Sequence, residues 1–297
     1  RDLRVRILLT GRNGQVGWEL ERALPALGEV IATDRATLDL ADPDAIRRAV
    51  REAKPEVIVN AAAYTAVDKA ESEPELAMRI NGIAPGVLAE EAKRLGALLV
   101  HYSTDYVFDG TKAEPYVEDD ATNPINVYGA TKLAGERAIL AAGCRHLVLR
   151  ASWVYSLRGA NFLLTVLRLA RQRARIRIVA DQHGTPTSAA LIADATARAL
   201  RVCVAGSTRP SGIFHLAAAR VASRHEFAVD AIRLLGLQCA VEPATSGEFP
   251  LPAQRPAFSA LATASFERVF DVVLPAWRAD LEQCLRPIRE GLVAMPR

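Results

Sequence analysis

The sequence has 297 residues, half of them hydrophobic and 24% charged, which is enough for a sizeable core in one large domain or two smaller ones. Its 37 basic and 34 acidic residues leave a net charge of only +3, too small an excess for nucleic acid to be the main partner. No apolar run approaches the ~20 residues of a bilayer span, and residues 1–9 hold too short an apolar stretch for a signal peptide. The cysteines (144, 203, 239, 284) and histidines form neither CxxC nor HExxH, so the expectation is a cytoplasmic protein with no membrane partner, disulfide framework or structural metal.

In chain order, residues 5–10 predict a buried strand closed by Gly11, and 16–27 a helix with Trp18, Leu20, Leu24 and Leu27 at helical spacing. A second strand follows at 30–33. Residues 43–53 predict a helix with Asp42 as N-cap and Pro43 in its first position. A third strand is expected at 57–60, then a helical stretch over 75–95 that Asn81-Gly82 and Pro85 should kink or divide. Residues 97–103 read as a fourth strand, 127–141 as a helix and 146–150 as a fifth strand. Such alternation requires parallel strands joined by crossover helices, hence the α/β class and a Rossmann-like doubly wound parallel sheet.

Beyond residue 150 the rhythm loosens. Helices are expected at 161–173, 188–204, 224–235 and 275–289, and strands at 176–179 and 212–216. Residues 242–262, rich in Pro, Ser and Gly, read as irregular: a binding loop or a plain surface loop. The division predicted is a nucleotide-binding domain over 1–150 and a smaller substrate-binding part over 151–297, with some of its strands and helices returning to the first.

Gly11, Gly14 and Gly17 follow a predicted strand and open a predicted helix, with Asn13, Gln15 and Val16 between them. The first glycine permits the tight turn, the second lets a pyrophosphate approach the backbone, and the third lets helix pack on strand. The free N–H groups at the helix start then hold phosphate oxygens. Asp34, at the end of the second strand, stands where an acid binds the adenosine ribose, which favours NAD; Arg35 and Arg12 favour a 2′-phosphate. The balance is read as NADPH, with NADH as the alternative, and either arginine also reads as a solvated surface charge. Asp39-Leu40 suits an adenine pocket, and the small residues of Ala62-Ala63-Tyr64-Thr65 let a dinucleotide lie against the sheet edge. Tyr102 is counted with the cofactor contacts.

Tyr128 and Lys132 lie one helical turn apart on a single face. A phenol titrates near 10, too high for easy proton exchange at neutral pH, and a neighbouring ammonium lowers that value while also reaching ribose hydroxyls. Lysine is scarce here: five against 32 arginines, which makes this one more informative. At the end of the fourth strand, where ligands gather in such sheets, Thr104 offers a hydroxyl to a developing oxyanion and Asp105 a carboxylate to a sugar hydroxyl. Taken alone, Thr104 also reads as a turn residue, and YxxxK as an ordinary exposed pair.

These residues sit in longer strings: GRNGQVGWEL at 11–20, VNAAAYTAVDKAESEP at 59–74, HYSTDYVF at 101–108, NVYGATKLAGE at 126–136, ASWVY at 151–155 and DQHGTPT at 181–187, with Arg255-Pro256, Ser259 and Leu261 beyond. The chain thereby resembles the extended short-chain dehydrogenases/reductases and, within them, the dTDP-4-dehydrorhamnose reductase family. The resemblance implies hydride transfer from NADPH or NADH to the C4 ketone of a nucleotide sugar in dTDP-L-rhamnose biosynthesis. It implies Tyr128 as proton donor, Lys132 as its tuner and ribose grip, and Thr104 on the carbonyl oxygen. Asp105 and Tyr106 would contact the substrate, Trp153 would pack on its nucleotide end, and Arg255 would meet the diphosphate.

The chain also departs from the family pattern. Phe258 stands where the family has Asn before the Ser. Some members form a dimer bridged by Mg²⁺ through acidic residues; Glu19 matches one, but Ala190 and Pro287 offer no oxygen at the other positions, so no metal and a monomer or weak homodimer are expected. Two rivals remain: a related dehydratase or epimerase with tightly held NAD, which would need an acid where Tyr106 stands, and a non-catalytic NADP-binding regulatory subunit, against which Tyr128, Lys132 and Thr104 all stand.

Overall fold

The computed structural model describes residues 5–205 and 209–294; residues 1–4 of the N-terminal stretch therefore lie outside it. The first half runs β1 (Val5–Thr10), α1 (Gln15–Ala23), β2 (Gly28–Ala32), α2 (Pro43–Ala53), β3 (Val57–Asn60), the short α3 (Val67–Ala70) and α4 (Pro74–Met78), α5 (Ala84–Leu95), β4 (Leu98–Thr104), α6 (Val127–Ala142) and β5 (Arg145–Ala151). The second half runs β6 (Val154–Tyr155), α7 (Phe162–Gln172), β7 (Arg175–Val179), β8 (His183–Gly184), β9 (Thr187–Ser188), α8 (Ala189–Ala205), β10 (Gly212–His215), β11 (Ala222–Ser223), α9 (Arg224–Leu234), β12 (Ala240–Ala244), α10 (Ala264–Phe270) and α11 (Trp277–Arg289).

Side-chain alternation along the strands builds two cores, one on each face of a sheet. Ile7, Leu9, Val57, Val59, Val100 and Leu149 face α1, α8 and α10, whereas Leu8, Ile58, Leu99 and Val148 face α2, α5 and α6. Each such side chain, fully buried, contributes about 1.5–3 kcal/mol relative to exposure. The sheet has six parallel strands in the order β10-β5-β4-β3-β1-β2. From β1 the chain builds to one side and from β3 onward to the other, so a crevice opens between the carboxyl ends of β1 and β3.

Several local expectations shift. The helix expected over 16–27 ends at Ala23, and Leu24–Ala26 tightens into a 3₁₀ turn around Pro25, which lacks the N–H to continue. The stretch over 75–95 is not kinked at one point: α4 widens into a π turn at Arg79–Ile83 and resumes as α5, with Pro85 in its first turn. Residues 242–262 are not wholly irregular, since β12 pairs in parallel with β7, and Phe258 and Leu261 make isolated bridges to His183 and Tyr116. The helix α10 was not expected.

Past residue 150 the chain divides its packing. α8, β10 and α10 join the sheet core that faces α1, while α7, α9, α11, β7 and β12 enclose their own around Tyr155, Phe227, Trp277 and Val166. Among the described residues no helix is long and apolar enough to cross a membrane.

Candidate active site

Gly11 carries a positive φ of 75° and abuts Ala62, whose atoms would lie 2.7–2.9 Å from any Cβ placed there. A Cβ on Gly17 would lie 2.0 Å from the Gly11 carbonyl oxygen, so the helix start is drawn hard against the loop. No side chain caps α1, and no acid sits in its first turn. Its N-terminal N–H groups are left for an anion, and this cradle fits a dinucleotide pyrophosphate.

Around that loop, the Asn13 amide donates to Asp34 at 3.1 Å, and the Ala36 and Thr37 N–H groups also donate to Asp34, holding its carboxyl below the usual range. Arg12 is paired with Glu21, whereas Arg35 is exposed and has no ion pair among the described residues. Asp39 accepts the Ala41 N–H, and Leu40 is buried in the core beneath. Ala62 and Ala63 line the route out of β3; the Tyr64 hydroxyl is committed to Glu73 at 2.7 Å, and Thr65 faces the cavity described below. Gln15 and Val16 open α1, and the Gln15 side-chain Oε1 accepts from Ser156 and Asn161, tying the loop to the second half. Tyr102 differs from expectation. Its hydroxyl bonds Thr196 on α8 and its ring packs in the core, so it is its backbone carbonyl that meets α6.

β4 delivers Thr104 to the crevice. Its oxygen accepts the Tyr106 N–H, shaping the turn, and its hydroxyl donates to Asp105 at 3.1 Å, in the cavity that Tyr128 also lines. Asn126 caps α6 by accepting the Gly129 N–H at 2.7 Å, which sets Tyr128 in the first turn and Lys132 one turn on. Burial pushes the Tyr128 phenol up, and the nearby Thr104 hydroxyl is the main influence opposing it. The expected lowering by Lys132 is not what the geometry gives. The Lys132 Nζ donates to the Tyr102 carbonyl at 2.5 Å and lies 3.3 Å from His101, and burial brings it down to about 8 against the pull of Glu136.

Thr104, Asp105, Tyr106, Tyr128, Trp153 and Arg255 all line one cavity of about 800 Å³ between the sheet's carboxyl end and the second half. Asp105 is buried, accepting from Ser152 at 3.0 Å and Ser259 at 2.5 Å, and burial raises it to about 6 despite those hydroxyls. Tyr106 meets Tyr128 edge-on, with ring centres 5.9 Å apart. Trp153 has a left-handed φ of 46°, a strained state for a bulky residue. Arg255 is held bidentately by Asp68, at 2.5 and 2.7 Å, so its charge is already answered.

The sequence reading missed Arg224, the first residue of α9. Its guanidinium stacks 3.7 Å from the Trp153 ring centre, faces Tyr106 and Asp105, and has no ion pair among the described residues. Residues 224–235 were expected to form a helix, and the Ser223–Glu226 capping box fixes that start, but no motif marked the arginine itself. Also missed were Ser152 and the role of Ser259 on Asp105. Phe258, the departure from the family pattern, stacks on His183 and packs against the apolar cluster that contains Val107, Phe108 and Leu261. Ala190 lies in the first turn of α8, and Pro287 lies inside α11.

The model of the RmlD substrate binding domain matches residues 5–290. A dTDP-4-dehydrorhamnose reductase of Burkholderia thailandensis is 47% identical over 296 residues, covering 96% of this chain and 99% of that protein. Among solved structures, a dTDP-4-dehydrorhamnose reductase of Clostridium acetobutylicum superposes with a TM-score of 0.89 at 38% identity, over 95% of this chain and 99% of the other. The Bacillus anthracis reductase, solved in complex with NADP, gives the same TM-score at 33% identity over the same shares.

Proposed function

Since the chain belongs to the family of the RmlD substrate binding domain, we propose that it reduces the C4 ketone of dTDP-4-dehydro-β-L-rhamnose to dTDP-L-rhamnose, the last step of dTDP-L-rhamnose biosynthesis, with NADPH as reductant and NADH as the alternative. One observation carries the reading: Thr104 and Tyr128 line a single cavity at the carboxyl end of β4, together with Asp105 and Arg224.

When bound, the reduced nicotinamide supplies the hydride. Gly11, Asn13, Gly14, Gln15, Val16 and Gly17 hold the pyrophosphate at the start of α1, Asp34 and Arg35 meet the adenosine ribose and its phosphate, and Asp39, Leu40, Ala62, Ala63 and Thr65 line the remainder. Thr104 steadies the ketone oxygen, and Tyr128 protonates it as negative charge develops. A phenol raised by burial keeps its proton at neutral pH and gives it up as negative charge develops on the ketone oxygen. Lys132 holds the ribose hydroxyls from the floor.

Asp105, already braced by two serines, fixes the Thr104 turn and accepts from a sugar hydroxyl. Arg224 serves the diphosphate first, because Arg255 must share itself with Asp68. Trp153, backed by Arg224, and Tyr106 pack on the nucleotide end. On this reading residues 1–150 bind the dinucleotide, and 151–297 mainly bind the sugar nucleotide, in a cytoplasmic monomer or weak homodimer. The test is oxidation of NADPH by enzymatically generated dTDP-4-dehydro-L-rhamnose, repeated with NADH. Stoichiometric oxidation with formation of dTDP-L-rhamnose is expected; cofactor recycled without net consumption would contradict the reading and indicate a dehydratase or epimerase.

A further inference from the structure

Beneath the strand ends lies a row of buried polar side chains that enters the scheme above only at its last member. Thr10 at the end of β1, Asn60 at the end of β3, His101 in β4 and Lys132 on α6 are each 1% exposed. Thr10 Oγ1 donates to Asn60 Oδ1 at 2.7 Å, Asn60 Nδ2 lies 3.0 Å from His101 Nδ1, and His101 Nε2 lies 3.3 Å from Lys132 Nζ. The row crosses three adjacent strands at the crevice, from the residue before Gly11 to the amine beside Tyr128.

Counting donors gives the row a direction. The Thr10 oxygen accepts the Ala62 N–H at 3.4 Å, which leaves its own hydrogen for Asn60 Oδ1. The Asn60 amide then turns its N–H to His101, so Nδ1 accepts. A neutral imidazole carries its single proton on the other nitrogen, and Nε2–H therefore points at Lys132. His101 is neutral because burial and the nearby lysine hold it well below the ordinary imidazole range. An N–H aimed at an ammonium is repelled, whereas the same N–H aimed at an amine lone pair makes a hydrogen bond.

We propose that His101 is a positioning residue: with its tautomer imposed by Thr10 and Asn60, it presents Nε2–H to Lys132 and weakens that side chain's hold on its proton. The proposal rests on the reading of Lys132 as the residue that holds the cofactor's ribose hydroxyls. Three groups besides His101 face the amine. The Tyr102 carbonyl of β4 accepts one of its hydrogens. Glu136, one turn on along α6, favours the ammonium but is itself held by Arg150 of β5 and Ser103 of β4. Tyr128, one turn back, is directed at Thr104, Asp105 and Tyr106.

The scarcity of lysine makes the test direct, because Lys132 is the one buried lysine among five: Lys54, Lys69 and Lys93 are exposed and Lys112 half-buried. In whole protein labelled with ¹³C-lysine and ¹⁵N-histidine, NMR reads the titration of each lysine and the tautomer of His101, with Lys132 assigned by its loss in Lys132→Met. The expected tautomer carries its proton on Nε2. Thr10→Val, which keeps the shape and removes the hydroxyl, should raise the Lys132 midpoint by about 0.5 pH unit. His101→Gln, whose amide oxygen can turn to an ammonium, should raise it by about 1 unit, and the other four lysines should not move. An Nδ1-protonated His101 in the wild type, or an unmoved Lys132 midpoint in folded Thr10→Val, overturns the proposal. Neither readout depends on turnover, so failure of the catalytic reading would appear separately, as a Tyr128→Phe protein that still reduces substrate.

Discussion

Asp105 shows how a single buried carboxylate sets both the shape of this site and its pH response. Its oxygens hold Thr104, Ser152 and Ser259 in place, yet burial raises it to about 6 from the 3.8 of a free side chain. Because the folded state binds this proton more tightly than the unfolded state does, the stability Asp105 contributes is greatest below about pH 4 and falls as pH rises toward 6. The loss across that window is about 3 kcal/mol, and it is flat above. Urea unfolding of Asp105→Asn against wild type should therefore show the variant gaining relative stability by about that amount between pH 4 and pH 7. A difference that does not change with pH would exclude burial as the origin of the raised value. Turnover should fall in the same variant, since the brace on the Thr104 turn changes from three accepted hydroxyls to a mixed set.

At the scale of elements, β8 supplies the floor on which Trp153 rests. A Cβ on Gly184 would lie 2.5 Å from Trp153 Cε2 and 2.7 Å from Nε1, so the indole must leave its place and abandon the Arg224 stack. In Gly184→Ala the KM for the sugar nucleotide should rise about tenfold or more, while that for NADPH changes by less than about twofold. Equal rises in both would mean the indole is not specific to the substrate side. The first-half elements were legible because each carries local punctuation: Asp42 does cap α2, accepting the Asp44 and Ala45 N–H groups, and apolar runs bounded by Gly and Pro are indeed strands. The β7–β12 pair was not legible. Pro243 inside β12 argues against a strand, yet β12 pairs on one side only, where a missing N–H is tolerated. The same contrast holds within the site. Tyr128, Lys132 and Thr104 announce themselves through short motifs, whereas Arg224 reaches Trp153 across 71 residues of chain and His101 reaches Asn60 across 41, separations that leave no periodic trace.

For the molecule as a whole, the cavity exists because distant segments are clasped over the ends of the sheet. Gln15 joins Ser156 and Asn161, Asp68 joins Arg255, and Asn126 donates to the Gln254 carbonyl at 2.8 Å. These links bring the glycine loop, α6 and the Pro-rich segment around one space. On the proposed function the choice of dinucleotide falls to Arg35, because Arg12 is engaged by Glu21 and Asp34 by its own turn. Arg35→Ala should weaken NADPH about tenfold and NADH little, narrowing the preference. An unchanged ratio of the two would shift the role to Arg12 released from Glu21.

The central claim, that the phenol at position 128 supplies the proton while the cofactor supplies the hydride, is tested most directly by single-turnover oxidation of enzyme-bound NADPH in Tyr128→Phe, with NADPH affinity measured on the same protein. The account predicts a rate reduced by about 10²-fold or more with NADPH affinity within about twofold of wild type; turnover at the wild-type rate would contradict it.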